Sequence, residues 1–471
     1  MKPTVSLREA FADRNLLGHV LAGNSWLGWK TLLIAAMGEQ LTDGERELFA
    51  KLTGREREPL QRVKEFEAVA GRRAGKTSAM AAAATYVSAC CDHGDALARG
   101  ETGVCLCVAQ DQRVAKKILD FVEANLEDST ILRQLIKGRS QDTIELANGI
   151  NVEVRPASFR KLRGPSYICV ICDELAFWYV DDVYANPDSE VIAAARPGLL
   201  TTRGPLIMAS SPYAKRGVLW DNYRKHYGSQ GAPLILVAKG TTRDFNATIP
   251  QEEIERELER DRARNTAELL AEFRSDLETY VDIAVVEGCV GGHREMLPAA
   301  GTFYYSAFCD PASGSGQDSF TCAVAHKKSD GEIIIDAVRE FRPFFSPSAV
   351  IDDLAILLKS YRIWQISGDH FAGEFPRELF RQQGICYEVC KSPKSDLYRD
   401  LLPLLNSGRI VLPRNDRLVT QIVGLERRVT RAGKDSIDHA PNAHDDVANC
   451  VAGVAAVLHS RSYYNIAALA S

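Results

Sequence analysis

The chain has 471 residues, 45% of them hydrophobic and 25% charged, with a formal net charge of −5. That length holds two or more domains, each large enough for its own core, in an ordinary globular composition. The charge balance excludes a globally basic field for nucleic acid, so any grip on DNA rests on a local patch or on an assembled ring.

Residues 1–62 read as mainly helical and carry Trp26, Trp29 and a charged stretch from Glu45 to Glu58. They lack a basic stretch followed by an apolar core, so a signal peptide is not expected. Phe66–Ala70 reads as a short apolar strand feeding Gly71-Arg72-Arg73-Ala74-Gly75-Lys76-Thr77-Ser78. Glycine in such a turn lets backbone N–H groups approach phosphate oxygens that a Cβ would block. A lysine at Lys76 then reaches the β/γ-phosphates, and the Thr77 hydroxyl ligates Mg²⁺. The strict signature has glycine five residues before Gly75, where this chain has Ala70. Ser78–Cys91 is Ala-rich and free of Gly and Pro, so it reads as a buried helix with its N-terminus aimed at the anion. Residues 1–62 would then pack on this ATPase domain or help hold the adenine.

Val104–Ala109 and Ile150–Val154 read as further strands. Tyr167–Cys172 is an uninterrupted apolar run, the pattern of a strand buried on both faces, and it ends in Asp173-Glu174. Asp173 could hold Mg²⁺ through water, and Glu174 is then placed to orient or deprotonate the attacking water. The plainer alternative is a charged pair where a strand meets solvent. Pro205–Ala209 leads into Ser210-Ser211-Pro212, either a γ-phosphate sensor or an ordinary Ser-Pro turn. Strands alternating with long helices imply a mainly parallel α/β sheet.

Residues 251–276 read as a solvated amphipathic helix pair. The pattern breaks near 285–300 into Gly-Cys-Val-Gly-Gly and then Leu-Pro-Ala-Ala-Gly, which reads as a linker. Beyond it Phe303–Cys309 is a strand ending in Asp310, followed by strands at Phe320–Ala325 and Glu332–Asp336. A helix around Ala349–Tyr361 precedes Trp364–Gly368, which ends in Asp369. His444-Asp445-Asp446 opens a nearly apolar run, Val447–Leu458, too short to span a bilayer.

Two acids at strand ends and one in the first turn of a helix can converge on a pair of divalent cations. Hard Mg²⁺ or Mn²⁺ prefers carboxylate oxygen, and two such ions can activate water and stabilise a leaving 3′-oxygen. Each acid alone has a plainer account, since strands often end in Asp and an acid in a first turn suits the helix dipole. The twelve cysteines fall largely in apolar runs without a second Cys or His pair at ligand spacing, so they read as reduced core residues.

A phosphate loop with Arg-Arg-x-Gly-Lys-Thr, an apolar strand ending Asp-Glu, a Ser-Ser-Pro turn and a three-acid set together resemble the terminase large subunit of tailed bacteriophages. The likeness covers about residues 40–460 and includes Leu41-Thr42-Asp43, Ala271-Glu272-Phe273, Asp310-Pro311, Asp318-Ser319-Phe320-Thr321, Gly368-Asp369, Leu425-Glu426-Arg427-Arg428 and His444-Asp445-Asp446-Val447-Ala448. It implies a helical segment (1–62), a P-loop ATPase of the ASCE type with a lid (63–284), a linker (285–300) and an RNase H-like α/β nuclease (301–471).

Carried over by residue, Gly71 to Ser78 would cradle ATP, and Lys76 and Thr77 would bind nucleotide and Mg²⁺. Asp173 would align that ion and Glu174 would act as base, while Ser210 and Ser211 would couple hydrolysis to movement. Asp310, Asp369 and Asp446 would hold Mg²⁺ or Mn²⁺, with Asp445 the alternative to its neighbour. Arg163 would reach a neighbouring subunit's γ-phosphate or be a solvated loop arginine. The implied partners are double-stranded DNA, a small terminase subunit and the portal of a procapsid. A homo-oligomeric ring working in the host cytoplasm, without a membrane, is the implied assembly, from a chain that can be monomeric when alone. The competing reading is a cellular ATPase-nuclease of repair or defence.

Overall fold

The computed structural model describes residues 1–110, 112–157, 162–178, 187–228, 232–298, 303–316, 318–369, 375–428, 435–440 and 443–460. Lys161, beside Arg163, and 299–300, the end of the expected linker, lie outside them. The described residues divide into two units, the first ending at Ser275 and the second starting at Asp276.

The first unit opens with β1 (Lys2–Pro3) and three helices, α1 (Leu7–Ala12), α2 (Leu27–Ala36) and α3 (Asp43–Thr53). Thr42 starts α3 with a reciprocal bond to Glu45, and Gly54 stops it at φ +67°, a conformation that costs glycine little. There follow β2 (Glu65–Ala70), α4 (Lys76–Ala89), β3 (Cys91–Asp92), β4 (Gly103–Ala109) and α5 (Gln112–Glu127). Next come β5 (Ile136–Arg139), β6 (Thr143–Leu146), β7 (Ile150–Pro156), β8 (Ser166–Asp173), α6 (Pro187–Ala195) and β9 (Leu206–Ser210). The unit closes with α7 (Gly217–His226), β10 (Ile235–Gly240), α8 (Thr242–Phe245), α9 (Gln251–Arg260) and α10 (Arg262–Leu270).

Its eight-stranded sheet runs β10-β2-β9-β8-β4-β7-β6-β5. From β10 to β7 neighbours are parallel, and the β7–β6–β5 end is an antiparallel meander. The run 167–172 is buried throughout because β8 lies between two strands with helices over both faces. α1 to α5 cover one face and α6 and α7 the other. α4 is buried nearly all round, which is why its sequence is alanine-rich rather than amphipathic.

The second unit contains β11 (Leu277–Thr279), α11 (Ile283–Gly288), β12 (Tyr305–Asp310), β13 (Phe320–Lys327), β14 (Ile333–Phe341), α12 (Pro347–Ser360) and β15 (Gln365–Gly368). After these come α13 (Phe375–Gln382), β16 (Cys386–Val389), α14 (Lys394–Asn406), β17 (Ile410–Val411), α15 (Asp416–Val423), β18 (Leu425–Arg428), β19 (Ser436–His439) and α16 (Asp446–Ser460). Six strands form a sheet in the order β16-β15-β12-β13-β14-β17. The β12–β13–β14 meander is antiparallel, whereas β15 and β16 add parallel to the β12 edge and β17 to the β14 edge. Alternation along β12 sends Phe308 to the face under α14 and α16, and Ala307 and Cys309 to the face under α12. α16 lies so close to β12 that a Cβ at Gly453 would stand 2.4 Å from the Phe308 ring. This β-β-β-α-β…α order is the expected RNase H-like arrangement.

The linker is expected at 285–300; the described residues divide after Ser275, so that 285–298 fall within the second unit. β11 pairs antiparallel with β18, Val286 and Cys289 enter the second core, and Val290 bridges to Leu412. Gly-rich composition marked a turn there, but long-range strand pairing decides membership.

Candidate functional site

The loop 71–75 joins β2 to α4, and the surrounding protein engages its carbonyl oxygens. Thr242 Oγ1 donates to the Arg72 carbonyl at 2.8 Å, Asn246 Nδ2 to Arg73 at 3.1 Å, and the buried Trp29 Nε1 to Ala74 at 2.6 Å. The Arg72 N–H bonds the Glu268 carbonyl, and its guanidinium pairs with the Glu268 carboxylate at 2.7 Å. Gly75 caps α4 at φ +83°, and a Cβ there would stand 2.5 Å from the Trp26 ring. Both facts require glycine at that position.

β9 lies between the loop strand β2 and the acid strand β8, so Ser210 and Ser211 emerge between the two halves of the site. Lys76 is buried, with Nζ 2.8 Å from Ser211 Oγ, 3.2 Å from the Gly71 carbonyl and 3.3 Å from Glu174 Oε1. The Thr77 hydroxyl donates to Asp173 Oδ2 at 3.0 Å. Glu174 sits at φ +52°, an uncommon conformation for its type. Its Oε2 is 3.3 Å from the Ser211 amide and 3.4 Å from Ser210 Oγ. Burial pushes the Asp173 carboxyl up to about 6, and the Glu174 charge adds to this, while Thr77 and Lys76 act against it. The structure thus brings Lys76, Thr77, Asp173, Glu174, Ser210 and Ser211 together. Ser78 follows on the half-exposed first turn of α4, and Arg73 is exposed at φ +64°. Arg163 is exposed on the approach to β8, and among the described residues no hydrogen bond or ion pair joins it to these groups.

The second cluster lies where β12, β15 and α16 meet. β12 and β15 run parallel in a register that pairs Cys309 with Gly368, so Asp310 and Asp369 leave adjacent strand ends. The Asp369 N–H donates to the Cys309 carbonyl at 3.0 Å, and Tyr387 Oη to the Asp369 carbonyl at 2.8 Å. Asn449, one turn into α16, donates through Nδ2 to Asp310 Oδ2 at 2.7 Å and to Asp369 Oδ2 at 3.3 Å. Burial first, and then the charges of Asp446 and Asp369, push Asp310 up to about 8 against the Asn449 bond.

Asp446 starts α16. Its Oδ2 accepts from the Ser319 N–H at 2.9 Å, and Gln421 Oε1 accepts from the Val447 and Ala448 amides at 2.8 and 3.0 Å. Asp445 points elsewhere: Lys394 Nζ lies 2.5 Å from one oxygen and Tyr398 Oη donates to the other at 2.7 Å. Both its oxygens are engaged, which favours Asp446 as the ligand of the pair. The metal-like grouping differs from the expected triad. Ligand atoms of Asp318, His444 and Asp446 lie within 4.8 Å of one another, while Asp310 and Asp369 form an adjacent pair through Asn449. Asp318, His444, Asn449 and Lys394 were not singled out by sequence. Asp318 and His444 stood inside quoted motifs, but a histidine beside two acids gives no sign of which side chain turns inward.

Among solved structures the chain is similar to the HK97 bacteriophage large terminase, with 15% identity, 84% of this chain and 91% of that chain covered, and a TM-score of 0.39. It is also similar to the large terminase of a thermophilic bacteriophage in complex with ADP, at 12% identity over 85% and 95% of the two chains, TM-score 0.38. The large terminase nuclease of thermophilic phage G20c with bound magnesium aligns at 17% identity over 37% of this chain and 95% of that one, TM-score 0.32. No family profile and no curated protein matches the sequence.

Proposed function

We propose that the chain is the large subunit of a viral DNA-packaging terminase, which hydrolyses ATP to drive double-stranded DNA into a procapsid and cuts concatemeric DNA. The observation that carries this reading is one chain with two separate sites of opposite character. A lysine–acid phosphate loop stands in the first unit and an acid cluster without a phosphate loop in the second.

In the first, Lys76 and the loop amides bind the β/γ-phosphates, and Thr77 with Asp173 holds the Mg²⁺ that accompanies the nucleotide. Glu174 orients water for in-line attack on the γ-phosphorus as the bond to the bridging oxygen breaks. Ser210 and Ser211, between Lys76 and Glu174, sense that bond's loss. Arg72, Arg73 and an Arg163 from a neighbouring subunit offset developing charge. The ring, the small terminase subunit, the portal and the host cytoplasm are the setting this reading requires. No helix among the described residues is long and apolar enough to cross a membrane.

In the second, the donor set of carboxylates with one imidazole suits Mg²⁺ or Mn²⁺. An Asp310 whose proton affinity rises beside other acids is a group that a cation relieves. Asp310, Asp369 and Asp446, with Asp318 and His444 beside them, would hold the ions. Bound there, a pair of divalent cations supplies the charge that activates water and stabilises a leaving 3′-oxygen.

Glu174→Gln should abolish ATP hydrolysis while nucleotide binding survives, and Asp369→Ala should abolish Mn²⁺-dependent plasmid cutting while hydrolysis survives. Turnover in the first variant or cutting in the second would remove the corresponding half of the assignment. Packaging with portal-bearing procapsids tests the biological role.

A further inference from the structure

Asn449 is the polar side chain that joins the two strand-end acids, and half of its amide is accounted for. It is buried, with 1% of its surface exposed. Its two N–H bonds diverge toward Asp310 Oδ2 and Asp369 Oδ2, so the rigid amide fixes how far apart those oxygens stand. Its backbone N–H is already used in the helix, to the Asp445 carbonyl at 2.7 Å. Its Oδ1 is buried and, among the described residues, has no donor. Most buried side-chain amides have both ends satisfied. Turning the amide over would satisfy nothing, because Oδ1 would then face two carboxylates.

Asn449 also shares its helix face with Asp446, three residues earlier. One side of α16 thus reaches both acid groups: Asp446 with Asp318 and His444, and Asn449 with Asp310 and Asp369.

We propose that Asn449 is a positioning residue for the metal site: its amide holds Asp310 and Asp369 at the spacing that receives a divalent cation, and its Oδ1 accepts a hydrogen bond from the cation's hydration water. This rests on reading the acid cluster as a metal site. Leu in place of Asn449 keeps the branched side-chain outline at greater bulk and removes both functions, whereas Asp keeps the shape and exchanges the donor for a third carboxylate.

The test is Mn²⁺ binding to the nucleotide-free full-length protein by titration calorimetry, with the Mn²⁺-induced change in melting temperature measured alongside. Asn449→Leu should weaken Mn²⁺ binding about tenfold and shrink the melting shift. Asn449→Asp should melt lower than wild type without metal and show a larger Mn²⁺-induced rise. DNA cutting by Asn449→Leu should recover in part at saturating Mn²⁺, which loss of packing alone would not produce.

Wild-type affinity in Asn449→Leu, or an unchanged melting shift in Asn449→Asp, overturns the inference and leaves the metal-site reading standing. Absence of Mn²⁺ binding by the wild-type protein overturns both. If Asn449→Leu fails to fold, the Asn449→Asp shift decides alone.

Discussion

The two sites solve opposite electrostatic problems. At the phosphate loop a buried Lys76 stands 3.3 Å from Glu174, so the charges offset one another before any ligand arrives. At the acid cluster Asp310 and Asp369 share one amide rather than a cation, and Asp446 stands beside them with Asp318 and His444. Burial is the first cause of the raised proton affinity at both Asp173 and Asp310. At Asp173 the Glu174 charge adds to burial and Thr77 and Lys76 oppose it, leaving about 6; at Asp310 the Asn449 bond opposes burial while Asp446 and Asp369 add to it, leaving about 8. Both sites are assembled from distant segments, but the first carries its own balancing cation in Lys76, whereas the second leaves that part to an external cation.

The largest effect that separates the two belongs to the loop. Lys76→Ala removes the cation that both Ser211 and Glu174 face. ATP hydrolysis should fall by about 10³-fold, the scale of losing a preorganised charge at a reacting phosphate. Mn²⁺-dependent DNA cutting should stay within roughly twofold, since the two sites share no side chain. Parallel loss of both activities would mean that the contrast is false and that one site works through the other.

Next in size is the contrast inside the pair 445–446. Asp446→Asn should cut cleavage by about 10²-fold or more, as loss of a group acting directly at the reacting centre does. Asp445→Asn should instead leave Lys394 facing a neutral amide and Tyr398 with a weaker acceptor. The expected cost is about 2–4 kcal/mol of stability, since a partly buried cation loses its nearer counter-charge and keeps only Asp438 at 3.9 Å. Cleavage should remain measurable below the melting transition. A thermal melt and a plasmid assay on both variants separate the roles, and equal loss of cleavage would restore Asp445 as a candidate ligand.

How much of this was legible follows the same division. Gly71 to Thr77, Asp173-Glu174 and Ser210-Ser211 each sit at the end of an apolar run, and local pattern is what a sequence displays. Asp310 and Asp369 were legible for the same reason, and Asp446 because it opens an apolar helix. Asn449 was not: inside that helix it reads as one polar residue among alanines and valines, and its meaning comes from a β-strand far earlier in the chain. Asp318 lies 3.5 Å from His444 where Ser319 and Thr321 bind the start of α16, a juxtaposition made by tertiary contacts. The boundary at Ser275 was hidden too, since nothing in Leu277–Thr279 announces pairing with Leu425–Arg428.

The pH response of the acid cluster is a smaller effect with a definite sign. Folding raises the Asp310 carboxyl from the usual value near 4 to about 8, so the folded state holds the proton more tightly than the unfolded chain. Its stabilising contribution is therefore full below about pH 4 and is lost as pH rises toward 8. Metal-free protein should melt at falling temperature across that window, and Asp310→Asn should flatten the slope. Mn²⁺ should restore the melting temperature most at the alkaline end, where no proton competes for the carboxylate. A slope unchanged in Asp310→Asn would assign the pH dependence to another group.

The smallest expected effect tests whether the loop's self-balance depends on the N-terminal helices. Trp29 Nε1 holds the Ala74 carbonyl at 2.6 Å, and its ring stacks on Phe245 with centroids 4.5 Å apart. Trp29→Phe keeps most of the stacking surface and leaves the buried carbonyl without its donor, a loss of about 1–3 kcal/mol. The Ala74 carbonyl is then free to turn, and with it the peptide that presents the Gly75 amide to a phosphate. ATP affinity should drop several-fold, with hydrolysis at saturating ATP changed much less, because Lys76 and Glu174 keep their own contacts. Stopped-flow nucleotide binding set against steady-state turnover distinguishes these quantities. If turnover falls and affinity does not, Trp29 acts on the chemical step, and the loop geometry is less self-sufficient than its local bonds imply.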